Sequence, residues 1–229
     1  MRSNEPSTTW VICPAFNEGT TLGRVLGELH GCGYQVLVID DGSSDATSRI
    51  AVAMGSAVIG HPINLGQGAA LKTGIEYALA QGAERVVTFD ADGQHRVGDV
   101  ARLLAALDRE QADFALGSRF LQRSRTMPLV RALLLKAATL FTIATTGLRL
   151  TDTHNGLRAF TRRGAAVLRL RQNRMAHASE ILADIARSGL RYVEVPVTVD
   201  YTEYSLSKGQ RAGDFLMVLL DLFAQRLYR

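Results

Sequence analysis

The protein is a chain of 229 residues, 47% hydrophobic and 21% charged, with a formal net charge of +4 at pH 7. This composition excludes a wholly disordered chain and suits one α/β domain spanning residues 1–229. Two cysteines, Cys13 and Cys32, are too few for a disulfide framework, and residues 1–9 lack the apolar run of a signal peptide. We therefore expect a cytoplasmic protein, placed in the cytosol or at the inner face of the cytoplasmic membrane.

The positive charge is concentrated in the middle of the chain. Residues 114–179 hold twelve basic residues against one acid, Asp152, a net charge of +11, whereas residues 1–113 hold 14 acids and 8 basic residues. Such asymmetry predicts an anionic partner for the middle segment. Charge alone does not distinguish three such partners: nucleic acid, a phospholipid surface and a phosphorylated substrate.

The first half of the sequence alternates short apolar runs with segments of helical spacing. The runs predict strands over 9–13, 35–39, 57–59, 85–89 and 114–116. Helical spacing covers 20–29, 46–54, 69–80 and 97–107. This alternation predicts an α/β fold with a mostly parallel central sheet and helices on both faces, whose ligand crevice lies at the carboxyl ends of the strands.

Polar motifs follow four of the predicted strands. They are Pro14-Ala15-Phe16-Asn17-Glu18, Asp40-Asp41-Gly42-Ser43, Asn64-Leu65-Gly66-Gln67-Gly68 and Asp90-Ala91-Asp92-Gly93-Gln94-His95. One acidic pair after a strand is usually a turn or a helix cap. Several carboxylates converging on one rim make a negative crevice, which calls for a cation.

The motif Asp90-x-Asp92 is the candidate site for that cation. Two carboxylates after a buried strand are hard oxygen ligands, which suit Mg²⁺ or Mn²⁺ bridging the phosphates of a nucleotide. The side-chain carbonyl of Gln94 is a plausible third ligand.

Two apolar segments, 119–150 and 212–229, flank or follow the basic region. The uncharged part of the first, 137–148, is shorter than the about 20 apolar residues that a membrane span needs. Both segments are therefore predicted to be packing helices of the core or interfacial helices on lipid headgroups.

The strand-end motifs together resemble those of family 2 glycosyltransferases with the GT-A fold. Gly117-Ser118-Arg119 and Asp152-x-x-x-Gly156-x-Arg158-Ala159-Phe160 are similar to motifs of dolichyl-phosphate mannosyltransferase and its bacterial polyprenyl-phosphate relatives. The resemblance spans residue 10 to about residue 208. It implies a metal-dependent inverting enzyme that moves one sugar from a nucleotide-diphosphate sugar, such as GDP-mannose or a UDP-hexose, to a polyprenyl phosphate.

The resemblance also implies roles for individual residues. The base and ribose would contact Pro14, Phe16, Glu18, Ile39 and Asp41. The diphosphate would lie on Phe89, Asp90 and Ala91, with the metal on Asp90, Asp92 and Gln94. Arg119 and Lys208 would contact phosphates, and Arg131 would sit near the acceptor phosphate at an anionic membrane surface.

Two positions depart from the family pattern. The family's Gly-Lys-Gly is here Gly66-Gln67-Gly68, which removes one positive charge near the nucleotide pocket. An arginine of the mannosyl enzymes, six residues before the terminal lysine, is replaced by Thr202. Both differences weaken an assignment of GDP-mannose as the donor.

The acceptor decides which catalytic residues are needed. Asp92, through the metal that it would hold, and Arg119 would stabilise the departing diphosphate, and an ionised phosphate acceptor needs no strong base. An alternative is a saccharide hydroxyl acceptor, as in O-antigen or exopolysaccharide assembly, for which Glu180 or Asp152 would be the base.

A further alternative is a non-catalytic protein that binds a membrane surface or nucleic acid through its basic segment. The four motifs at strand ends argue against it. The sequence also offers no recognisable nucleic-acid-binding motif, and its aromatic content is only 7%. We therefore expect no nucleic-acid partner.

Overall fold

A computed structural model describes residues 8–121, 129–174 and 176–200 of the chain. The strands are β1 (Thr9–Ala15), β2 (Gln35–Asp40), β3 (Ala57–Gly60), β4 (Arg85–Thr88), β5 (Phe114–Ser118), β6 (Arg158–Thr161) and β7 (Tyr192–Pro196). The helices are α1 (Leu22–Gly31), α2 (Thr47–Ala53), α3 (Gln67–Ala80), α4 (Gly98–Arg109), α5 (Leu129–Thr146), α6 (Arg162–Ala166) and α7 (His177–Ser188).

The described strands form one sheet in the order β3-β2-β1-β4-β6-β5-β7. β1 pairs in parallel with β2 and β4, β2 with β3, and β5 with β7. β6 lies antiparallel between β4 and β5. The prediction of a mostly parallel sheet is therefore confirmed, with β6 running against its neighbours.

Both faces of the sheet are covered, because successive residues of a strand point to opposite sides. In β1, Val11 and Cys13 join a buried cluster that includes residues of α1 and α4. Ile12, between them, joins a second cluster that includes residues of α3 and α7. This arrangement explains why the strands read as short, nearly continuous apolar runs rather than as alternating patterns.

The predicted elements of the first half are confirmed to within two residues at each end. The sequence pattern did not reveal β6 and β7. β6 is only four residues long and begins with Arg158, which is buried. A short strand that carries a buried arginine has no apolar pattern to reveal it.

The predicted apolar segments are covered only in part. α5 occupies 129–146 of the first segment, while 122–128 and 212–229 lie outside the described residues. In the parts of the chain that the structure describes, no helix is both long enough and apolar enough to span a membrane.

Candidate active site

A cleft of about 410 Å³ lies at the carboxyl ends of β1, β2 and β4. Its volume falls in the range usual for small-molecule sites. Its lining joins the strand-end motifs to one residue from much later in the chain: Pro14, Ala15, Phe16, Glu18, Asp41, Asn64, Gly66, Gln67, Ala70, Asp90, Ala91, Asp92 and Arg174. The predicted convergence of these motifs on one rim is therefore observed.

The Asp90 carboxylate is held from three sides. Gln67 Nε2 donates a hydrogen bond to Oδ1 at 2.8 Å, and His95 Nε2 lies 3.3 Å from Oδ2. On the third side, a Cβ at Gly156 would lie only 2.1 Å from Oδ2. Burial acts to raise the pKa of Asp90, but the hydrogen bond and charge of His95, with the charges of His177 and Arg158, lower it overall.

Asp92 lies beside Asp90 in a less favourable setting for its charge. Burial and then the negative charge of Asp90 raise the pKa of Asp92 to about 6. One carboxylate oxygen, Oδ1, accepts a hydrogen bond from the backbone N–H of Gln94 at 2.9 Å. The two carboxylates oppose each other electrostatically, and a bound cation would relieve that opposition.

The donor set fits a divalent metal that is completed by substrate. Among the described residues, no group of three or more His, Cys, Asp or Glu side chains is placed to hold a metal ion. Two carboxylates are nevertheless the usual protein share for Mg²⁺, which takes its other ligands from phosphates and water. Asp90 and Asp92 would hold the ion, and a ligand role for Gln94 stays a prediction.

Asp41, predicted to contact the base or ribose, shapes the wall of the cleft with its side chain. Oδ1 accepts the backbone N–H of Leu65 at 3.0 Å and lies 2.7 Å from His61 Nδ1. Oδ2 accepts the backbone N–H of Gly66 at 2.7 Å. Asp41 thus anchors the loop before α3, and nucleotide contact by this residue stays a prediction.

Arg119 is not among the residues that line the cleft and forms a buried ion pair with Asp152. Its Nε donates to Asp152 Oδ2 at 2.6 Å, and its backbone N–H donates to the same oxygen at 3.1 Å. The two side chains are 7% and 1% exposed. The pair joins the end of β5 to the loop before β6, and the predicted phosphate contact of Arg119 stays untested.

Glu180 lies in the first turn of α7, where it holds a loop. Its Oε2 accepts the backbone N–H of Gln172 at 2.8 Å. That loop caps α3, since the carbonyl of Asn173 accepts the backbone N–H of Gly68 at 2.8 Å. A catalytic role for Glu180 stays a prediction.

The remaining predicted residues divide into three groups. Pro14, Phe16, Glu18 and Ala91 line the cleft, with Phe16 44% exposed. Ile39 and Phe89 are fully buried in the core beside it. The backbone of Arg131 lies in α5, and Lys208 lies outside the described residues.

The structure adds two residues that the motifs did not reveal. Arg174 lines the cleft, and His177 lies close enough to Asp90 to lower the pKa of that carboxyl. A Cβ at Gly68 would lie 2.8 Å from His177 Cβ, which shows how closely α7 approaches α3. Both residues lie over 80 positions from Asp90 in sequence, and neither belongs to a strand-end motif.

The fold is the GT-A fold of glycosyltransferases. The chain superimposes on the crystal structure of glucosyl-3-phosphoglycerate synthase from Mycobacterium tuberculosis with a TM-score of 0.69, covering 93% of this chain and 79% of that chain. The sequence identity is 21%, so the likeness concerns the fold. That synthase has also been crystallised with Mn²⁺, UDP-glucose and phosphoglyceric acid.

The chain belongs to glycosyl transferase family 2, whose sequence profile matches residues 10–169. It is 37% identical to an uncharacterised protein of Methanocaldococcus jannaschii, over 96% of this chain and 92% of that protein. It is 32% identical to the UDP-N-acetylglucosamine–dolichyl-phosphate N-acetylglucosaminyltransferase of Methanococcus voltae, covering 87% and 88% of the two chains. It is also 32% identical to the polyprenol monophosphomannose synthase of Mycolicibacterium smegmatis, covering 87% and 80%. The resemblance drawn from the motifs is thereby confirmed.

Proposed function

We propose that this glycosyltransferase moves a single sugar, with inversion, from a nucleotide-diphosphate sugar to a polyprenyl phosphate. The observation that carries the proposal is the cleft itself, where Asp90 and Asp92 face a space large enough for a nucleotide. Two relatives that align with more than four fifths of this chain are named for transfer to dolichyl phosphate or for making polyprenol monophosphomannose. Their named sugars differ, so the donor is left as a nucleotide-diphosphate hexose or N-acetylhexosamine.

The state of the two candidate bases favours a phosphate acceptor. Asp152 is paired with Arg119 in the interior, and Glu180 accepts a backbone hydrogen bond from Gln172. A carboxylate with such partners is poorly placed to take a proton from a sugar hydroxyl. A phosphate acceptor is already ionised at neutral pH, so it can attack the anomeric carbon without either group.

On the donor side, residues of the chain would bind the metal and the nucleotide and hold them in position. Asp90 and Asp92 would hold Mg²⁺ or Mn²⁺, which when bound balances the charge of the departing diphosphate. Gln67 and His95 fix the Asp90 carboxylate so that its position is set before the donor arrives. Phe16 offers a partly exposed aromatic ring at the mouth of the cleft, which suits contact with the base.

A polyprenyl-phosphate acceptor implies that the enzyme acts at a membrane surface. On α5, Leu140 is 67% exposed and Lys136 is exposed, and Leu121, eight residues before the start of α5 in sequence, is 47% exposed. Exposed apolar side chains beside a basic segment are what an anionic lipid surface attracts. We infer peripheral association of this region with the inner face of the cytoplasmic membrane.

The test is a transfer assay with purified protein and matched acceptors. Radiolabelled UDP-N-acetylglucosamine, UDP-glucose and GDP-mannose would each be incubated with polyprenyl phosphate and with a lipid-linked saccharide. We expect label in the polyprenyl-phosphate product with one donor, loss of transfer in EDTA, and recovery with Mg²⁺ or Mn²⁺. Asp92→Ala should be inactive and folded, because the side chain lies at the rim of the cleft and not in the core.

Two results would contradict the proposal in different ways. Label found only in the lipid-linked saccharide would establish the hydroxyl-acceptor alternative. Full turnover in EDTA would remove the metal from the mechanism while leaving the acceptor assignment in place. The anomeric configuration of the product, read by NMR, tests inversion separately.

A further inference from the structure

We propose that Arg174 binds the diphosphate of the donor, an inference that rests on the proposed function. The described lining of the cleft contains four carboxylates, on Glu18, Asp41, Asp90 and Asp92, and a single cationic side chain, Arg174. A nucleotide diphosphate entering so acidic a cleft needs positive charge beyond that of one divalent ion. Arg174 is the described residue positioned to provide it.

The arginines near the site differ in whether their charge is already engaged. Arg119 is buried against Asp152. Arg158 is buried and donates from Nε to the carbonyl of Asn155 at 3.0 Å. Arg174 is exposed at the cleft and forms no ion pair with a described residue. Its guanidinium is therefore the one of these three that can reach a ligand without breaking a buried contact.

The backbone that carries Arg174 is anchored. Its carbonyl accepts the backbone N–H of His177 at 3.1 Å and lies 2.8 Å from His177 Nδ1. Two residues earlier, the N–H of Gln172 is bound by Glu180 at 2.8 Å. Because these hydrogen bonds hold the backbone at Gln172 and Arg174, binding has mainly to immobilise the side chain of Arg174, which limits the entropic cost.

The N-terminus of α3 is partly occupied by the loop that carries Arg174. Helix N-termini commonly bind phosphate through free backbone N–H groups. Here the carbonyl of Asn173 accepts the N–H of Gly68 at 2.8 Å and the N–H of Ala69 at 3.3 Å. The loop thus occupies two of the first backbone donors of the helix, and the next residue, Arg174, lines the cleft beside them. An arginine is well suited to bind phosphate at this place, because its planar guanidinium can bind two phosphate oxygens at once.

The neutral side chain at position 67 is consistent with this assignment. The side-chain amide of Gln67 donates a hydrogen bond to Asp90 at 2.8 Å, and the side chain carries no charge. Arg174 therefore provides the positive charge, and Gln67 orients the Asp90 carboxylate. The two residues lie on segments that face each other. A Cβ at Gly66, next to Gln67, would lie 3.0 Å from Arg174 Cγ, so the two segments are in contact.

The experiment is calorimetric titration with Mn²⁺ present, using UDP, UMP and uridine, and the guanosine series in parallel. Relative to wild type, Arg174→Ala should weaken binding of the diphosphate by about 10- to 100-fold, the usual range for a lost hydrogen bond to a charged group. The monophosphate should lose less affinity and the nucleoside none. Arg174→Lys should recover part of the loss, because it keeps the charge without the fork. Arg171→Ala, an exposed arginine of the same loop that does not line the cleft, is the matched control and should bind as wild type does.

The outcomes separate this inference from the proposed function. Equal diphosphate affinities for wild type and Arg174→Ala would overturn the role of Arg174 alone. A parallel loss for UDP and uridine would also overturn it, since a folding defect and not a phosphate contact would then be the cause. A wild-type protein that binds neither nucleotide series would overturn the proposed function and this inference together.

Discussion

Gly156 lies directly against the carboxylate of Asp90, so that a Cβ at Gly156 would come within 2.1 Å of Oδ2. The loop cannot simply retreat, because Thr88 Oγ1 donates to the carbonyl of Gly156 at 2.7 Å and ties it to β4. The absence of a side chain at this position therefore fixes where the candidate metal ligand lies. The strand-end motif alone does not reveal this constraint.

We predict that Gly156→Ala displaces Asp90 and reduces transfer on the order of 100-fold, the scale of effect expected from a misplacement of about 1 Å at a reacting centre. Mn²⁺ affinity should fall with activity. Gly98→Ala is the matched control, since a Cβ there meets nothing within 4 Å. Wild-type Mn²⁺ affinity in Gly156→Ala, measured by calorimetry, would show that the ion does not depend on this carboxylate.

A second prediction concerns the ion pair between Arg119 and Asp152. Removing one partner leaves a buried charge without its counter-ion, so Arg119→Ala should lower the free energy of unfolding by about 3–5 kcal/mol in urea titrations. Arg24→Ala, which breaks an exposed pair with Glu28, should cost less than about 1 kcal/mol. A stable Arg119→Ala variant with weakened nucleotide binding would instead assign Arg119 to a phosphate contact.

A third prediction follows from His154, whose pKa is lowered to about 4. Burial is the main cause, and the positive charges of Arg158 and Arg119 add to it, while Asp152 opposes them. The unfolded chain takes up this proton near pH 6.5 and the folded chain only near pH 4. Between those values the unfolded state binds more protons, so stability falls as the pH is lowered through this window.

The change in the pKa of His154 on folding sets an upper limit on this loss of stability. At 1.36 kcal/mol per pKa unit, His154 should account for up to about 3 kcal/mol of the stability lost between pH 6.5 and pH 4. His154→Gln should flatten that part of the curve relative to wild type, as measured by urea unfolding at successive pH values. Identical pH slopes for the two proteins would contradict the depressed pKa.

Much of the donor side could be predicted from the sequence, because each motif there directly follows a strand. Apolar runs such as 35–39 and 85–89 marked the strands, and parallel strands bring their carboxyl ends to one rim. The convergence of Phe16, Asp41 and Asp90 followed from those two facts. Metal binding by Asp90 and Asp92 fits the donor set and stays a prediction.

The remainder depended on contacts between distant segments, which a periodic pattern does not encode. The pairing of Arg119 with Asp152 joins residues 33 positions apart in sequence. Glu180 can accept the backbone hydrogen bond of Gln172 only because the loop around Gln172 folds back on α7. Arg174 was visible merely as one of twelve basic residues, since nothing in its neighbours indicates that the loop reaches α3.

A fourth prediction tests the membrane surface. Each basic residue near an anionic leaflet contributes about 1 kcal/mol, within a Debye length of about 8 Å at physiological salt. Changing Arg123, Arg125, Arg131 and Lys136 together to Gln should therefore release the protein from anionic liposomes in co-sedimentation assays. Transfer to long polyprenyl phosphates should fall more than transfer to short soluble analogues. Arg123 and Arg125 lie outside the described residues, so this experiment tests the region as a whole.

A variant with the same change of charge elsewhere provides the control for this prediction. Arg49, Lys72, Arg96 and Arg109, all exposed, lie in the acidic first half of the chain. Their joint replacement by Gln should leave liposome binding close to that of wild type. Equal binding of the protein to neutral and anionic vesicles would show that the basic region serves another partner.

The antiparallel placement of β6 has a consequence for how such enzymes diversify. β5 runs parallel to β4 and ends at the same edge of the sheet, and β6 runs the opposite way and begins at that edge. The excursion 119–157, which contains α5, therefore leaves the sheet and re-enters it on the same side as the donor cleft. The described part of 120–151 contains no strand, whereas Gly156, near the end of the excursion, lies against the Asp90 carboxylate. A change confined to 120–151 therefore leaves β1, β2 and β4 to form the nucleotide pocket. Grafting a relative's segment in place of 120–151, with Arg119, Asp152 and Gly156 retained, is thus a direct way to exchange the acceptor and retain the donor.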